Sequence, residues 1–390
     1  MEKLKIAYII PRFHPFKGGA EQNTEALALR ACKDGHSVTV LTTNERFRNE
    51  KLPKIENYKG IKIIRMNAFI KAPLYAGFYP ELFWHLRKNN YDIIHCSGIG
   101  FLWREICLRL NKKKNTLYVC TPHGPFMALN DTQGIRGLAK KYYTKKLRKF
   151  LNNLYDIFVQ VNPKQEKWMS EEYNISKEKI VLIPNGIDKE YIAPKIYSEK
   201  FKRKPVITYI GRLANYKGVH FVLEALYKIK KSKVKVPPFE FWVMGRSQGD
   251  YTSYLQNLIK KFSLEDEVKL IFSPTDEKRD EILFKHSHIH ILPSKWEATG
   301  IVLLEAMAKG NALISTKQNE MHDLIIQEGV NGFTYNYDDV NKLKKILIEL
   351  LNNPKLCIEM SEKNLEKVKN FTWEASYELY KNQVISKAKI

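Results

Sequence analysis

Two glutamates, Glu297 and Glu305, stand with seven residues between them in the window LPSKWEATGIVLLEAMAKG. The run HIHILP (288–293) reads as a strand ending at Ser294, and an apolar helix begins near Gly300 and stops at Gly310. Glu297 is then on the approach loop at the carboxyl edge of a sheet, with Glu305 one to two turns inside the helix. Ligands of open α/β sheets bind at that edge, and a helix start offers free N–H groups and a positive dipole end to a phosphate. A carboxylate beside a phosphate site is useful where it accepts hydrogen bonds from hydroxyl groups. A sugar on one side and a ribose on the other fit the spacing, so the window reads as a nucleotide-sugar site. The plain alternative is chance spacing, with Glu305 a solvated helix residue.

Other strand exits carry candidates. GRLANYKG follows the strand VITYI; Arg212 supplies a planar fork of donors for phosphate oxygens and Lys217 a mobile point charge, each beside a glycine. After the first strand, PRFHPFKGGAEQN opens a helix at Gly18-Gly19. This is not the GxGxxG fingerprint, which disfavours a nicotinamide cofactor. The pair still permits close approach of a phosphate or sugar, and a tight structural turn explains it equally well. His123, in TPHG, sits at the edge after the fifth strand. A lone histidine is more often a packed or solvent residue, so its position is what singles it out.

The elements needed to place these residues are legible. From Leu4 to Ile183 the runs IAYII, VTVLTT, IKIIRM, YDIIHC, TLYVCT, DIFVQV and IVLIP alternate with helical patterns, and VITYI, FEFWVM, VKLIF, HIHILP and ALIST form a second series. Strands alternating with helices mean doubly wound parallel sheets. The expected organisation is a Rossmann-like domain at 1–190, a charged linker at 191–204, a second Rossmann-like domain at 205–370, and a helix at 371–390 crossing back to the first domain.

Composition agrees: 390 residues, 44% hydrophobic and 12% aromatic, are enough for two domains. MEKLKIAYIIPRF reads as a first strand and not a signal peptide, and no window approaches 18 uncharged apolar residues, the length of a membrane span. Five scattered cysteines without metal spacing point to reduced thiols in a cytoplasm. The net charge of +23 is uneven: residues 1–195 hold 34 Lys+Arg against 18 Asp+Glu. Seven of these cations fall between Arg136 and Lys149, in a helix whose stripe Leu138, Tyr142, Leu147, Phe150 and Leu154 must face the core or a bilayer. A basic solvated face and attraction to anionic lipid headgroups are both open. No nucleic-acid motif or stacking platform is present, so nucleic acid is not an expected partner.

The ordered set GGAE (18–21), TPHG (121–124), PNGID (184–188), GRL-x4-KG (211–218) and PS-x2-E-x7-E-AMA-x-G (293–310), with NGF (331–333) and FTWE (371–374), resembles the family-four retaining glycosyltransferases of the GT-B fold. The resemblance covers nearly the whole chain. It implies an α/β GT-B architecture, two Rossmann-like domains facing across a cleft, and a hexosyltransferase-type enzyme. It places Arg212 and Lys217 on the donor diphosphate and Glu305 on the nucleotide ribose. Glu297, with the backbone of Thr299, Gly300 and Ile301, holds the transferred sugar. His123 then lies near the reaction centre, Gly18 and Gly19 face phosphate and acceptor, and Gly245 belongs to the glycine-rich turn of the donor domain. The family's Glu-Gly-Phe-Gly is Glu297-Ala298-Thr299-Gly300 here, and Arg246 stands in MGRSQGDY where a small residue is usual, so donor preference is left open.

No cofactor is expected beyond a nucleotide-diphosphate sugar, UDP- or GDP-linked, as donor substrate. The chain has no Asp-x-Asp, so a metal is not required if Arg212, Lys217 and the helix dipole stabilise the leaving group. Assigning both carboxylates to hydroxyl binding leaves front-face transfer as the retaining route. Expected partners are a sugar-bearing acceptor, lipid-linked or polysaccharide, and an anionic membrane surface at the Arg136–Lys149 helix, with the protein cytoplasmic or peripheral at the inner membrane face. The alternative is a basic polyanion- or membrane-binding protein on an inactive transferase scaffold.

Overall fold

The computed structural model describes residues 2–16, 18–44, 52–68, 77–125, 134–246 and 249–388, with backbone alone at 134–136, 139–140 and 149. Most of residues 69–81 and 125–136 lies outside the described residues, as do the side chains of Arg136, Lys140 and Lys149. The chain forms two compact units, Met1–Asn185 with Trp373–Ile390, and Gly186–Thr372.

In the first unit the strands are β1 (Lys5–Ile9), β2 (Ser37–Thr43), β3 (Ile55–Tyr58), β4 (Ile61–Met66), β5 (Ile93–Ser97), β6 (Leu117–Thr121), β7 (Ile157–Gln160) and β8 (Ile180–Leu182). They lie in the order β3-β4-β2-β1-β5-β6-β7-β8. Every pair is parallel except β3 with β4. The central strands β5, β6 and β7 are buried along nearly their whole length because both sheet faces are covered there. Successive side chains alternate faces: Ala7, Ile9, Ile94 and Cys96 join one core layer, Ile6, Tyr8 and Ile93 the other. The second layer is completed by Tyr377 and Tyr380 of the helix Trp373–Gln383, so apolar burial ties the chain's end to the first unit. Strand β3, which the sequence reading passes over, is the arm of a hairpin. Its turn, Lys59-Gly60, holds both residues at positive φ (52° and 88°), the conformation of two-residue hairpin loops.

The second unit holds β9 (Val206–Ile210), β10 (Glu240–Gly245), β11 (Val268–Phe272), β12 (Ile289–Leu292), β13 (Ala312–Thr316) and β14 (Gly332–Tyr335). Their order is β11-β10-β9-β12-β13-β14, all parallel. The chain runs outward from β9 to β11 and returns to lay β12 on the other side of β9. That reversal opens a crevice at the carboxyl ends of β9 and β12. The corresponding reversal in the first unit lies between β1 and β5.

The segment expected as a linker is packed. It forms 3-10 turns at Lys189–Tyr191 and Ser198–Lys202 within the second unit. Lys200 is wholly buried, and its Nζ donates to the Gly310 carbonyl at 2.6 Å, just past the helix Ile301–Ala308. Burial lowers its pKa to about 7. A lysine at a helix C-terminus satisfies carbonyls left without intrahelical donors, and here it fixes the far end of the helix that carries Glu305.

Candidate functional site

In the second unit the two loops flanking the reversal are joined to one another. The first, after β9, runs through the 3-10 turn Asn215–Lys217 to Gly218. Gly218 has φ 70°, and a Cβ there would collide with the Pro293 carbonyl, so only glycine lets this turn lie against the strand exit of β12. The Lys295 N–H donates to the Tyr216 carbonyl at 2.7 Å. Across the same contact Lys217 Nζ pairs with Glu297 Oε1, an oxygen that also accepts from Ser294 Oγ at 2.8 Å. Both partners of this ion pair are largely shielded, with side chains 10% and 17% exposed. Arg212 is exposed at the end of β9, its guanidinium 5.8 Å from the Tyr216 ring centre, with Lys217 Nζ 5.2 Å from the same ring. The crevice thus carries two cations and one fixed carboxylate.

A third loop holds the Glu297 loop from behind. Thr316 Oγ1 donates to the Ser294 carbonyl at 2.6 Å, the Glu320 N–H to the Glu297 carbonyl at 3.0 Å, and Trp296 Nε1 to Glu320 Oε1 at 3.1 Å. Gly300 precedes the helix Ile301–Ala308 with φ 65°, and a Cβ there would lie 2.7 Å from Leu292 Cδ2. It turns the chain so that the helix points its first amides, those of Ile301 and Val302, at the strand edge without intrahelical acceptors. Thr299 is buried beside them.

Glu305 is buried one turn further along, and Arg279 Nη2 donates to its Oε2 at 3.1 Å. Burial raises the Glu305 pKa, and the Arg279 guanidinium opposes that rise. Arg279 comes from the helix Asp276–Lys285, between β11 and β12. Sequence reasoning missed it because nothing local marks an arginine 26 residues from its partner. Ser294 was visible as part of PS-x2-E but had no assigned role. Gly245 has a structural reason of its own: a Cβ there would run into the Gly211 carbonyl, where the ends of β9 and β10 converge. The same convergence seats Arg246 beside the Arg212 turn, its carbonyl accepting from the Leu213 N–H at 3.1 Å.

In the first unit Gly18 caps the helix Gly19–Lys33 in extended backbone, and Glu21 lies in the first turn. The Glu21 carboxylate occupies the space a Cβ on Gly18 would take. Asn23 of this helix donates to Asn185 Oδ1 at 2.7 Å in a buried contact, so the helix that GGAE opens meets the PNGID motif. His123 follows β6 with φ 60°, a conformation uncommon for a residue with a side chain and enriched at functional positions. Its Nε2 is 2.8 Å from Ser97 Oγ at the end of β5.

Burial pushes the His123 pKa down to about 4. The ring is therefore neutral at pH 7, with one N–H and one lone pair. The sign follows from linkage: an unfolded histidine binds its proton near pH 6.5, so the folded state loses stability as pH falls below that value, until His123 itself protonates near 4. The turnover profile is expected to lack any step attributable to His123 between roughly pH 6 and 8. A step in that range that disappears in His123→Asn would contradict a neutral ring.

Among the described residues no helix is long and apolar enough to cross a membrane. The model for glycosyltransferase family 4 matches residues 17–191, and that for glycosyl transferases group 1 matches residues 195–367. An uncharacterized glycosyltransferase of Methanocaldococcus jannaschii is 24% identical over 98% of this chain and 98% of its own length. The sucrose-phosphate synthase of Thermosynechococcus elongatus superposes with a TM-score of 0.77 at 19% identity, covering 99% of this chain and 100% of that one. Anabaena HepE, solved with UDP-glucose, gives 0.75 at 15% identity over 98% of this chain and 100% of its own. With one model on each α/β unit and whole-chain structural likeness to such enzymes, the protein belongs to the group 1 glycosyltransferases of the GT-B fold.

Proposed function

We propose that the chain transfers a sugar from a UDP- or GDP-sugar to a lipid-linked or polysaccharide acceptor of the cell envelope, with retention of configuration and without a metal ion. The observation that carries this reading is the joining of the β9 and β12 loops through Lys217 and Glu297. It sets cations beside a carboxylate and a helix start at a sheet reversal. Arg212 and Lys217, with the helix dipole, hold the diphosphate, Glu305 the ribose, and Glu297 with the backbone of Thr299, Gly300 and Ile301 the transferred sugar. The same groups stabilise charge as it develops on the leaving diphosphate. The UDP-glucose bound to HepE supports a donor of this class. Intact chemistry in all four side chains favours transfer over the alternative of an inactive binding scaffold.

Retention is taken from the family resemblance, and what the carboxylates already do bears on its route. A retaining glycosidase uses a carboxylate pair about 5 Å apart with one member as nucleophile. Glu297 is engaged by Lys217 and Ser294, and Glu305 by Arg279. We assign them to binding, and the leaving phosphate takes the acceptor proton on the same face. A trapped glycosyl-enzyme adduct or an inverted product would overturn this route.

The direct test is donor hydrolysis and transfer across UDP-, GDP- and ADP-sugars in EDTA. Release of one nucleotide in EDTA, lost in Glu297→Ala, is the expected result. Activity that EDTA abolishes and a divalent ion restores would overturn metal independence.

For the membrane, the observation is how the helix Gly134–Leu154 divides its apolar stripe. Leu147, Leu151 and Leu154 are buried, whereas Leu138 and Tyr142 are 68% and 65% exposed, beside exposed Lys141, Lys145 and Lys146. An apolar pair one turn apart among lysines suits an anionic headgroup layer. Sedimentation with vesicles containing phosphatidylglycerol is expected to carry the protein down. Replacing the three lysines by glutamate should release it, and equal binding to neutral vesicles would contradict the electrostatic part.

A further inference from the structure

The first unit contains a buried ion pair that the donor chemistry does not use. Arg104 and Glu105 are adjacent in the helix Leu102–Leu110, with 1% and 0% of their side chains exposed, and Arg104 Nη2 lies 2.7 Å from Glu105 Oε1. A charge is costly to bury unless its hydrogen-bonding capacity is used. Two nitrogens of the Arg104 fork reach the turn that leaves β5, while the buried Nε has no hydrogen-bond partner among the described residues. Nη1 donates to the Ser97 carbonyl and Nη2 to the Gly98 carbonyl, both at 2.8 Å. The guanidinium also lies 4.7 Å from the Phe101 ring centre. That ring closes the turn, since a Cβ on Gly98, which sits at φ 85°, would come within 2.6 Å of it. The turn is bound to the next strand as well, through the Gly98 N–H to the Thr121 carbonyl at 2.8 Å. Its first residue, Ser97, is 6% exposed and places its hydroxyl on His123 Nε2.

Two consequences follow for His123. With Nε2 engaged by Ser97, Nδ1 is the ring atom left without a hydrogen-bond partner among the described residues. A neutral imidazole that hydrogen-bonds at one nitrogen has its rotation set by that bond, and the partner influences which tautomer is held. We infer that Ser97 is a positioning residue that fixes the His123 ring, and that Arg104 holds Ser97 in register through the two carbonyls of the β5 exit turn. The inference deepens the proposed transfer reaction and rests on it for its effect on rate. The side-chain arrangement itself can be read without turnover.

The test is nitrogen NMR of the histidine rings in wild type, Ser97→Ala, Ser97→Thr and Arg104→Lys, assigned with His123→Asn, alongside steady-state kinetics. In wild type His123 should show one neutral tautomer, and in Ser97→Ala averaged ring-nitrogen shifts. Turnover should fall about tenfold, the scale of one hydrogen bond, with the donor KM unchanged, and Ser97→Thr should recover both. Arg104→Lys keeps a cation for Glu105 but loses the fork, so it should move the His123 shifts in the same direction as Ser97→Ala. His123 shifts identical to wild type in both Ser97→Ala and Arg104→Lys would overturn the inference. Full turnover in His123→Asn would instead overturn the role of His123 in transfer, leaving the ring-shift result to stand for Ser97.

Discussion

Replacing Glu297 by alanine should lower sugar transfer by about 100- to 1000-fold, the cost of removing one preorganised polar group from a reacting centre. The structure explains why the loss falls on turnover more than on nucleotide binding. Glu297 lies on a loop held by the Glu320 N–H on the Glu297 carbonyl and by Thr316 Oγ1 on the Ser294 carbonyl, neither of which involves its carboxylate. Its partner Lys217, with only 10% of its side chain exposed, loses its counter-charge, which should cost about 2 kcal/mol of stability. Melting temperature should therefore fall, while nucleotide binding should persist because Arg212 and Glu305 remain. Glu297→Gln keeps the shape and a hydrogen-bond acceptor but drops the charge that pairs with Lys217. It should fall between wild type and alanine. Steady-state kinetics with a matched nucleotide titration check the split, and equal losses in turnover and nucleotide affinity would contradict it.

Glu305→Ala should behave differently, with stability and nucleotide affinity falling together. Removing one partner of a buried ion pair leaves the other without compensation, at a cost of about 3–5 kcal/mol for full burial. The Arg279 side chain is 24% exposed, which moderates that cost to about 2 kcal/mol. The second unit should melt earlier, and nucleotide should bind at least tenfold more weakly if the carboxylate accepts ribose hydroxyls. Arg279→Met combined with Glu305→Leu separates the two effects. An apolar pair of similar volume should restore most of the stability and none of the nucleotide affinity. Thermal denaturation with and without nucleotide reads both, and full nucleotide binding by the double variant would remove Glu305 from the ribose.

Much of this was legible in the sequence because the informative signals are local. Strand runs such as VITYI and HIHILP, the helix start at Gly300 and the order of the motifs give the α/β architecture, the loops that bear Arg212, Lys217 and Glu297, and the helix that bears Glu305. What escaped is set by tertiary contact. Arg279 meets Glu305 across a helix and a strand, and Ser97 meets His123 across two strand exits. Periodicity carries no trace of either pairing. The hairpin strand β3 was missed because IENY is short and half polar, and only the turn at Lys59-Gly60 reveals it. The stripe of the basic helix was read as one face, whereas burial divides it between core and solvent. Gly245 shows the opposite hazard, since a glycine expected at the donor also answers to the close approach of two strand ends.

The central claim is that the crevice between β9 and β12 binds the diphosphate of a nucleotide sugar through Arg212 and Lys217. Calorimetric titration of wild type and of the double variant Arg212→Ala, Lys217→Met with UDP- and GDP-sugars in EDTA tests it most directly. Wild type should show one site per chain for one of the nucleotides, and the double variant an affinity at least 100-fold weaker, about two charge-assisted hydrogen bonds. Undiminished binding by the double variant, or wild-type binding only when a divalent metal is added, would contradict it.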